Sequence, residues 1–334
     1  MSKINGATKH IRGFIKGMRS NNIEIVHIHP LMYSFNPKVK FLQLFYFNII
    51  SFLALLRHIT KVDFIYLRLS PFIITPFIGK IFSKPILVEL NGAIDIEAES
   101  IFSLNCIKLT ILRIYVRLSF ILTDRIITVS SNLKNYLIDR FTIRSNKIIP
   151  IQNSGEINCA AYIKREFTYK GLIAISDNPW FNIKELLALK DELSKSNICL
   201  DIFMGTHGGN EIEDSNLLLN KEIDFKQYDW GLLHNDDKFI KLREVVSPIK
   251  YFSYLSHAIP ALVPKYSSVA ELTSKNNTGW VYRKKEDLPG IIMSIYDDEE
   301  KWQLKCSDAY NLIKNKMNWK EQTKKILKRV NFER

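Results

Sequence analysis

Short apolar segments that alternate with helical stretches constrain the fold of this chain more than any other feature. Runs of three to six mainly apolar residues separated by helices are typical of parallel strands joined by right-handed crossovers. Two such series occur, the first at residues 23–28, 64–67, 86–90, 125–129 and 148–151, and the second at 172–175, 199–204, 230–233, 259–263 and 280–282. The sequence therefore predicts two doubly wound α/β domains.

The length of the chain agrees with this division. A chain of 334 residues exceeds what one hydrophobic core usually organises. The first series ends at Asn153-Ser-Gly155, and a mixed polar segment precedes the second. We place the first domain at residues 1–158 and the second at 159–318, followed by a charged terminal helix over 319–334.

Positive charge is concentrated in the first half. Residues 1–165 hold 22 Lys and Arg against 9 Asp and Glu, whereas residues 166–334 hold 25 of each. The same half carries two apolar, basic-flanked stretches at 41–57 and 107–122. This combination favours adsorption to an anionic membrane surface, and both stretches equally suit core helices of an α/β domain. Nucleic acid would also attract the charge, but we find no RNP, zinc-finger or KH signature and expect no nucleic-acid partner.

Targeting and metal signals are weak. No apolar run reaches membrane-spanning length, and the first residues lack the apolar core of a signal peptide, so we expect a cytoplasmic protein. The four cysteines form no CxxC pair, which argues against a zinc site and a disulfide framework. Residues 27 and 29 are both histidine, a pattern we interpret as structural. The acidic pairs at 95/97 and 222/224 are expected in solvated loops, so no metal site is predicted.

Polar residues at the ends of predicted strands are the first candidate site, because ligands of open α/β sheets bind beyond the carboxyl ends of the strands. Arg68 follows the 64–67 segment, Glu89 stands inside the end of 86–90, and Asn91 and Gly92 come directly after it. Asn and Gly are also ordinary turn residues, and Arg68 with Glu89 equally suits an internal ion pair.

The segment 247–264 is the second candidate site. Ser247, Pro248 and Lys250 lead into a short helix with apolar residues 251, 252, 254 and 255, and a buried strand over 259–263 follows. Free N–H groups at a helix start, with a lysine beside them, suit a phosphate. Near the beginning of the chain, Gly6 precedes a predicted helix over 9–19 and is interpreted as part of a small anion-binding turn. Plain secondary structure is the alternative at both places.

The order of these segments resembles the family 4 glycosyltransferases of bacterial surface polysaccharide biosynthesis. Residues 247–263 resemble the family's sPxKxxEYxxxGxPVv block, 63–68 its DxIYxR segment, and 123–133 its aDxiitvS..l pattern. The resemblance implies the GT-B fold, in which two Rossmann-like domains face a cleft. It also implies that the second domain holds the nucleotide-sugar donor and that the helix 319–334 packs back on the first domain.

The resemblance also implies roles for individual residues. It assigns catalysis to Asn91, Glu89 and Lys250. Acceptor binding falls to Arg68, Asn91 and Gly92. The residues implied in donor binding are Arg243, Ser247, Lys250, Ser253, Glu271 and Gly6.

Four positions depart from the family pattern. Ser253 replaces the glutamate that holds the donor ribose, and Ala258 replaces a glycine. The segment 177–182, which reads Asp-Asn-Pro-Trp-Phe-Asn, stands where relatives carry Lys-Gly, with Lys184 slightly displaced, and Asn91 occupies the position of a histidine. A serine or an asparagine forms hydrogen bonds there but carries no charge.

The resemblance implies a retaining, hexosyltransferase-type reaction without metal or other cofactor. Sugar passes from a nucleotide-sugar donor to a glycan acceptor, expected to be lipid-linked, at the inner face of the membrane. The alternative is a non-catalytic, membrane-associated partner subunit that keeps the fold. Ser253, Asn91 and the missing Lys-Gly favour it, because three expected polar groups are exchanged.

Overall fold

The computed structural model describes residues 6–27, 40–69, 74–100, 105–157, 166–176, 181–205, 217–219, 222–234 and 236–330. Contacts divide the chain into two compact units. Unit 1 comprises Met1–Asn21 and Asn153–Lys325, and unit 2 comprises Asn22–Gln152 and Ile326–Arg334. Each unit contains a parallel sheet with helices between its strands, so the predicted α/β fold class is confirmed.

Unit 2 is built on a parallel sheet in the order β1-β2-β3-β4. Its central strand β2 is buried along its whole length, because helices cover a parallel sheet. The strands are β1 Ile65–Arg68, β2 Ile86–Leu90, β3 Arg125–Thr128 and β4 Ile148–Pro150. The helices are α2 Lys40–His58, α3 Thr75–Ile81, α4 Ile94–Ser100, α5 Cys106–Leu122 and α6 Ser131–Phe141.

Unit 1 is built on a six-stranded parallel sheet in the order β10-β9-β8-β5-β6-β7. The strands are β5 Lys170–Ser176, β6 Cys199–Gly205, β7 Leu217–Leu219, β8 Trp230–Leu232, β9 Ala261–Pro264 and β10 Gly279–Tyr282. The helices are α1 Gly6–Arg19, α7 Ile183–Ser194, α8 Ile240–Val245, α9 Ile249–Ser256, α10 Ala270–Lys275, α11 Leu288–Tyr296, α12 Glu299–Asn315 and α13 Trp319–Val330.

The six-stranded sheet has an apolar core on each face. One core joins its strands to α7, α11 and the Trp302 side of α12. The other contains Tyr251, Phe252, Tyr254 and Leu255 of α9, all fully buried. These are the four residues that the sequence predicted to pack the short helix, so its orientation follows from its apolar face.

Helix α1 packs closely on the start of α13. A Cβ atom on Gly13 would lie 2.0 Å from Nε1 of Trp319, and one on Gly17 would lie 2.5 Å from the Trp319 carbonyl oxygen. Gly13 therefore leaves room for the Trp319 indole ring, and Gly17, one turn later, leaves room for the Trp319 backbone. Helix α1 belongs to unit 1, and the boundary between the units divides α13 after Lys325, whereas the sequence places residues 1–158 in one domain and 319–334 in a separate helix. The predicted junction at 158/159 and residues 331–334 lie outside the described residues.

Other sequence-based assignments need correction. Residues 23–27 form no strand, and Ile28 lies outside the described residues. The strand β7 was not predicted, because its Leu217–Leu219 run is too short to stand out. The acidic pair at 95/97 lies in helix α4 rather than in a solvated loop, and Asp95 is buried. Its burial is possible because two guanidinium groups and a tyrosine hydroxyl surround the carboxylate.

Candidate functional site

The strand order of the unit 1 sheet reverses between β5 and β8. Strands β6 and β7 extend the sheet on one side of β5, and β8, β9 and β10 extend it on the other. At such a switch point the crossovers leave to opposite faces, and a crevice opens beyond the carboxyl ends of the two strands. Helix α7 follows β5, and α8 and α9 follow β8, so their first turns border this crevice.

Three side chains from these connections meet at the crevice. Lys250 Nζ lies 4.7 Å from the centroid of the Phe181 ring, and the guanidinium carbon of Arg243 lies 5.5 Å from the same centroid. An aromatic face attracts cations through its quadrupole, which holds two like charges near one another. The structure thus brings together the two predicted diphosphate cations, and the ring of Phe181, from the segment where the family pattern has Lys-Gly, contacts both.

The electrostatics of Lys250 are those of an anion receptor. Burial, assisted by the charge of Arg243, lowers the pKa of Lys250 to about 7. Among the described residues no carboxylate forms an ion pair with its ammonium group. A partly buried cation in this state gains most from an anionic ligand that enters the crevice.

The start of α9 is shaped to present backbone N–H groups. Its N-cap residue, Pro248, makes no side-chain cap. Ser247 does not cap these N–H groups, because it is engaged with Asn153. Its hydroxyl accepts a hydrogen bond from the Asn153 backbone N–H at 3.3 Å, and its carbonyl oxygen accepts one from Asn153 Nδ2 at 2.6 Å. Asn153 Oδ1 lies 2.8 Å from Nδ1 of His10 on α1. The Asn153-Ser-Gly segment therefore holds the loop before Lys250 in place.

The remaining predicted donor residues lie less directly at this point. The hydroxyl of Ser253 donates to the carbonyl oxygen of Ile249 at 3.2 Å, so it is engaged with its own helix. Glu271 lies in the first turn of α10 with an exposed side chain. Gly6 begins α1, and the residues before it lie outside the described part of the chain. Lys184 is exposed on α7.

Ala258 shows why the family pattern has a glycine at this position. It follows α9 with a φ of 57°, in the left-handed region where a Cβ atom crowds the carbonyl oxygen.

Replacing Ala258 by glycine should raise the free energy of unfolding by about 0.5–1 kcal/mol, because relief of strain exceeds the added entropy of the unfolded chain. Urea denaturation measures this. The matched control, Ala309→Gly inside α12, should lower stability by about 1 kcal/mol, and equal effects would contradict the explanation.

A polar network beside the crevice was not predicted. His234, two residues after the end of β8, lies 3.2 Å from Glu185 Oε2 through Nε2 and 3.2 Å from the Tyr282 hydroxyl through Nδ1. Lys285 Nζ lies 2.7 Å from Glu185 Oε1 and 3.0 Å from Asp237 Oδ2. The rule applied to Asn91 would have found His234, because it is a polar residue that directly follows the predicted strand segment 230–233.

The network has a structural role. Burial lowers the pKa of His234 despite the neighbouring Glu185. Burial alone would raise the pKa of Glu185, but hydrogen bonds from Lys285 and His234 outweigh it and lower that pKa. Glu185 therefore remains ionised and ties α7 to the segments after β8 and β10.

In unit 2, the predicted acceptor residues lie at the ends of adjacent strands. The register of β1 and β2 places Arg68 beside Glu89. The buried Glu89 carboxylate accepts hydrogen bonds from the Tyr66 hydroxyl and, at 2.7 Å, from Nδ2 of Asn91. Glu89 therefore orients the Asn91 amide. Within the described part of the chain, the second N–H and the carbonyl oxygen of that amide remain for a ligand. Gly92 is buried next to it.

The two parallel sheets have the architecture of the GT-B glycosyltransferases, whose two domains are Rossmann-like. No protein-family model and no curated protein sequence matches the chain. Sucrose-phosphate synthase from Thermosynechococcus elongatus superposes with a TM-score of 0.65 at 10% identity, over 97% of this chain and 92% of that one. The structure of Anabaena HepE with UDP and glucose superposes with a TM-score of 0.58 at 14% identity, over 88% of this chain and 84% of that one. A glycosyltransferase from Rickettsia africae superposes with a TM-score of 0.55 at 12% identity, over 99% of this chain and 89% of that one. The chain has the GT-B fold.

Proposed function

We propose that this protein is a retaining glycosyltransferase that takes a hexose from a nucleotide-sugar donor. The observation that carries the proposal is the pair of cations, Arg243 and Lys250, held by Phe181 at the β5/β8 switch point. The structures of HepE contain UDP, UDP with glucose, and UDP-glucose. A diphosphate placed on this pair would neutralise both charges.

The proposed chemistry depends on stabilising the leaving group. As the bond between the anomeric carbon and the phosphate oxygen breaks, negative charge develops on the nucleoside diphosphate. Lys250, Arg243 and the N–H groups at the start of α9 would stabilise that charge. We propose that these groups act without a metal ion, and that Asn91, oriented by Glu89, hydrogen-bonds the reacting sugar or the acceptor.

The acceptor belongs to the same proposal. Arg68, Asn91 and Gly92 of unit 2 would contact a glycan, which we propose to be lipid-linked and part of a cell-surface polysaccharide. The protein would then work in the cytoplasm at the inner face of the membrane. None of the described helices is long and apolar enough to cross a bilayer.

The test is the pH dependence of donor binding. A diphosphate favours charged Lys250, so binding of UDP should raise its pKa above the free value of about 7. Between pH 7 and the bound pKa, UDP binding should take up a proton and its affinity should fall as pH rises. Calorimetry in two buffers of different ionisation enthalpy, with EDTA present, measures both effects.

The control for this test is Lys250→Arg. Arginine stays charged throughout this pH range, so this variant should bind UDP with no proton uptake from position 250. Identical proton uptake by both proteins, or a requirement for added metal, would contradict the proposed site.

A non-catalytic partner subunit is the second candidate. It is favoured by the absence of a carboxylate at position 253, where the serine hydroxyl donates to the carbonyl oxygen of Ile249, and by the missing Lys-Gly in the segment 177–182. Such a protein would bind UDP but would neither hydrolyse nor transfer the sugar of any UDP-hexose. Measuring donor hydrolysis alongside binding distinguishes the two candidates.

A further inference from the structure

Helix α5 of unit 2 is apolar on two faces. Its inner face consists of the buried residues Leu109, Leu112, Val116 and Phe120. Its outward face carries a second apolar row, spaced by three and four residues so that it forms one line along the helix. This outer stripe comprises Ile107, Ile111, Ile114, Leu118 and Ile121, which are between 45% and 66% exposed. A helix on a protein surface normally places polar residues there.

Basic residues flank the outer stripe. Lys108 and Arg117 are exposed on opposite sides of it, and α5 contains no Asp or Glu. At the end of the helix, Lys147 Nζ donates hydrogen bonds to the carbonyl oxygens of Phe120 and Ile121. The outward surface of α5 therefore consists of an apolar line bordered by positive charge.

Helix α3 extends this surface. It contacts α5, and right-handed crossovers along the order β1-β2-β3 place both helices on one face of the sheet. At the end of α3, Ile81 is 78% exposed, Phe82 is exposed as well, and Lys80 stands beside them. Exposed apolar side chains with neighbouring positive charge are thus found on both α3 and α5.

We propose that the outer stripe docks onto an anionic lipid bilayer, with α5 lying parallel to the membrane plane. Apolar side chains would enter the boundary between headgroups and acyl chains, and Lys108 and Arg117 would contact lipid phosphates. A helix of 17 residues offers a contact about 25 Å long. A symmetric contact with a second copy would place the same cations against each other, so charge favours the bilayer. This surface is separate from the donor crevice, and the inference does not depend on the proposed transferase activity.

The experiment compares sedimentation of the full chain with phosphatidylcholine vesicles that contain or lack phosphatidylglycerol. The wild type should bind the anionic vesicles, and more weakly as salt increases. The double variant Ile114→Ser/Leu118→Ser should lose about tenfold or more in partition. Its matched control, Met293→Ser/Leu304→Ser, removes two equally exposed apolar side chains from unit 1 and should bind as the wild type does.

A second pair of variants tests the charges. Lys108→Gln/Arg117→Gln should reduce binding to anionic vesicles about tenfold and leave the weak binding to neutral vesicles unchanged. Lys241→Gln/Lys275→Gln removes the same charge from exposed positions of unit 1 and should have little effect.

Three outcomes would overturn the proposal. The first is that the wild type fails to sediment with anionic vesicles, and the second is that the stripe variant binds as well as its control. The third is that light scattering shows the wild type as a dimer and the stripe variant as a monomer, which would make a second copy the occupant of the stripe. Thermal unfolding of each variant shows that it is folded, and UDP binding reports on the donor site separately.

Discussion

Replacing Lys250 by methionine should reduce sugar transfer by about 100-fold or more, because removing one group that stabilises developing charge has effects of this size. The same change should raise the free energy of unfolding by about 1–3 kcal/mol, since the folded protein holds a partly buried cation whose pKa is lowered to about 7. Loss of activity with a gain in stability is the signature expected of a residue kept for ligand binding.

The sign of the stability effect depends on pH. In the unfolded chain Lys250 has an ordinary pKa near 10.4, well above the folded value of about 7. Below pH 7 the lysine is charged in both the folded and the unfolded protein, so its buried charge lowers the free energy of unfolding by the full amount. Replacement by methionine should therefore increase the free energy of unfolding most in this pH range. Between pH 7 and about 10 the folded protein loses the proton first, and the advantage of methionine should shrink.

Donor turnover and urea denaturation at pH 6 and pH 9 measure these effects. Lys241→Met, at an exposed position on α8, is the matched control and should change neither quantity appreciably. Unchanged turnover in Lys250→Met would remove this residue from the mechanism, and a loss of stability would show that its ammonium group has a structural partner instead.

Replacing Asp95 by alanine should destabilise unit 2 by about 2–4 kcal/mol, because it leaves three donors around an empty, buried position. The Asp95 side chain is 1% exposed. Its carboxylate accepts from Arg113 Nε at 3.2 Å, Arg140 Nε at 3.3 Å and the Tyr136 hydroxyl at 2.7 Å. These bonds connect α4, α5 and α6, directly after the strand that carries Glu89.

Urea denaturation of Asp95→Ala, monitored by a probe in unit 2, measures this effect. Glu99→Ala is the control on the same helix. Its carboxylate is 62% exposed and lies 3.7 Å from Arg113 Nη2, so its removal should change stability by less than about 0.5 kcal/mol. Similar losses in both variants would show that burial of Asp95 is not the cause.

The sequence predicted local structure correctly where that structure depends only on neighbouring residues. The segment 247–264 was predicted as a loop, a short helix and a buried strand, and it forms α9 and β9. The departure at Ala258 was also visible as a missing glycine, and the structure supplies its reason, a positive φ. Apolar periodicity and turn chemistry act over a few residues, so they can be read without knowing the fold.

Partners distant in the sequence were not readable in the same way. Phe181 drew notice only as part of a segment that lacks the Lys-Gly of the family pattern, whereas in the fold its ring contacts both Arg243 and Lys250. His234 and Asp95 depend equally on side chains contributed by other elements. An interaction of this kind arises when crossovers bring separate segments together, and no local pattern records it.

The sequence alone indicates two parallel α/β sheets, the position of most of their strands, and that Lys250 stands at the start of a short helix that leads into a buried strand. The tertiary structure decided that α1 packs on α13, that Lys250 shares an aromatic ring with Arg243, and that α5 turns a second apolar face outward. The reason is physical. Strand and helix formation follows from the periodicity of neighbouring residues, whereas the burial, pKa and exposure of a side chain depend on every element that packs around it.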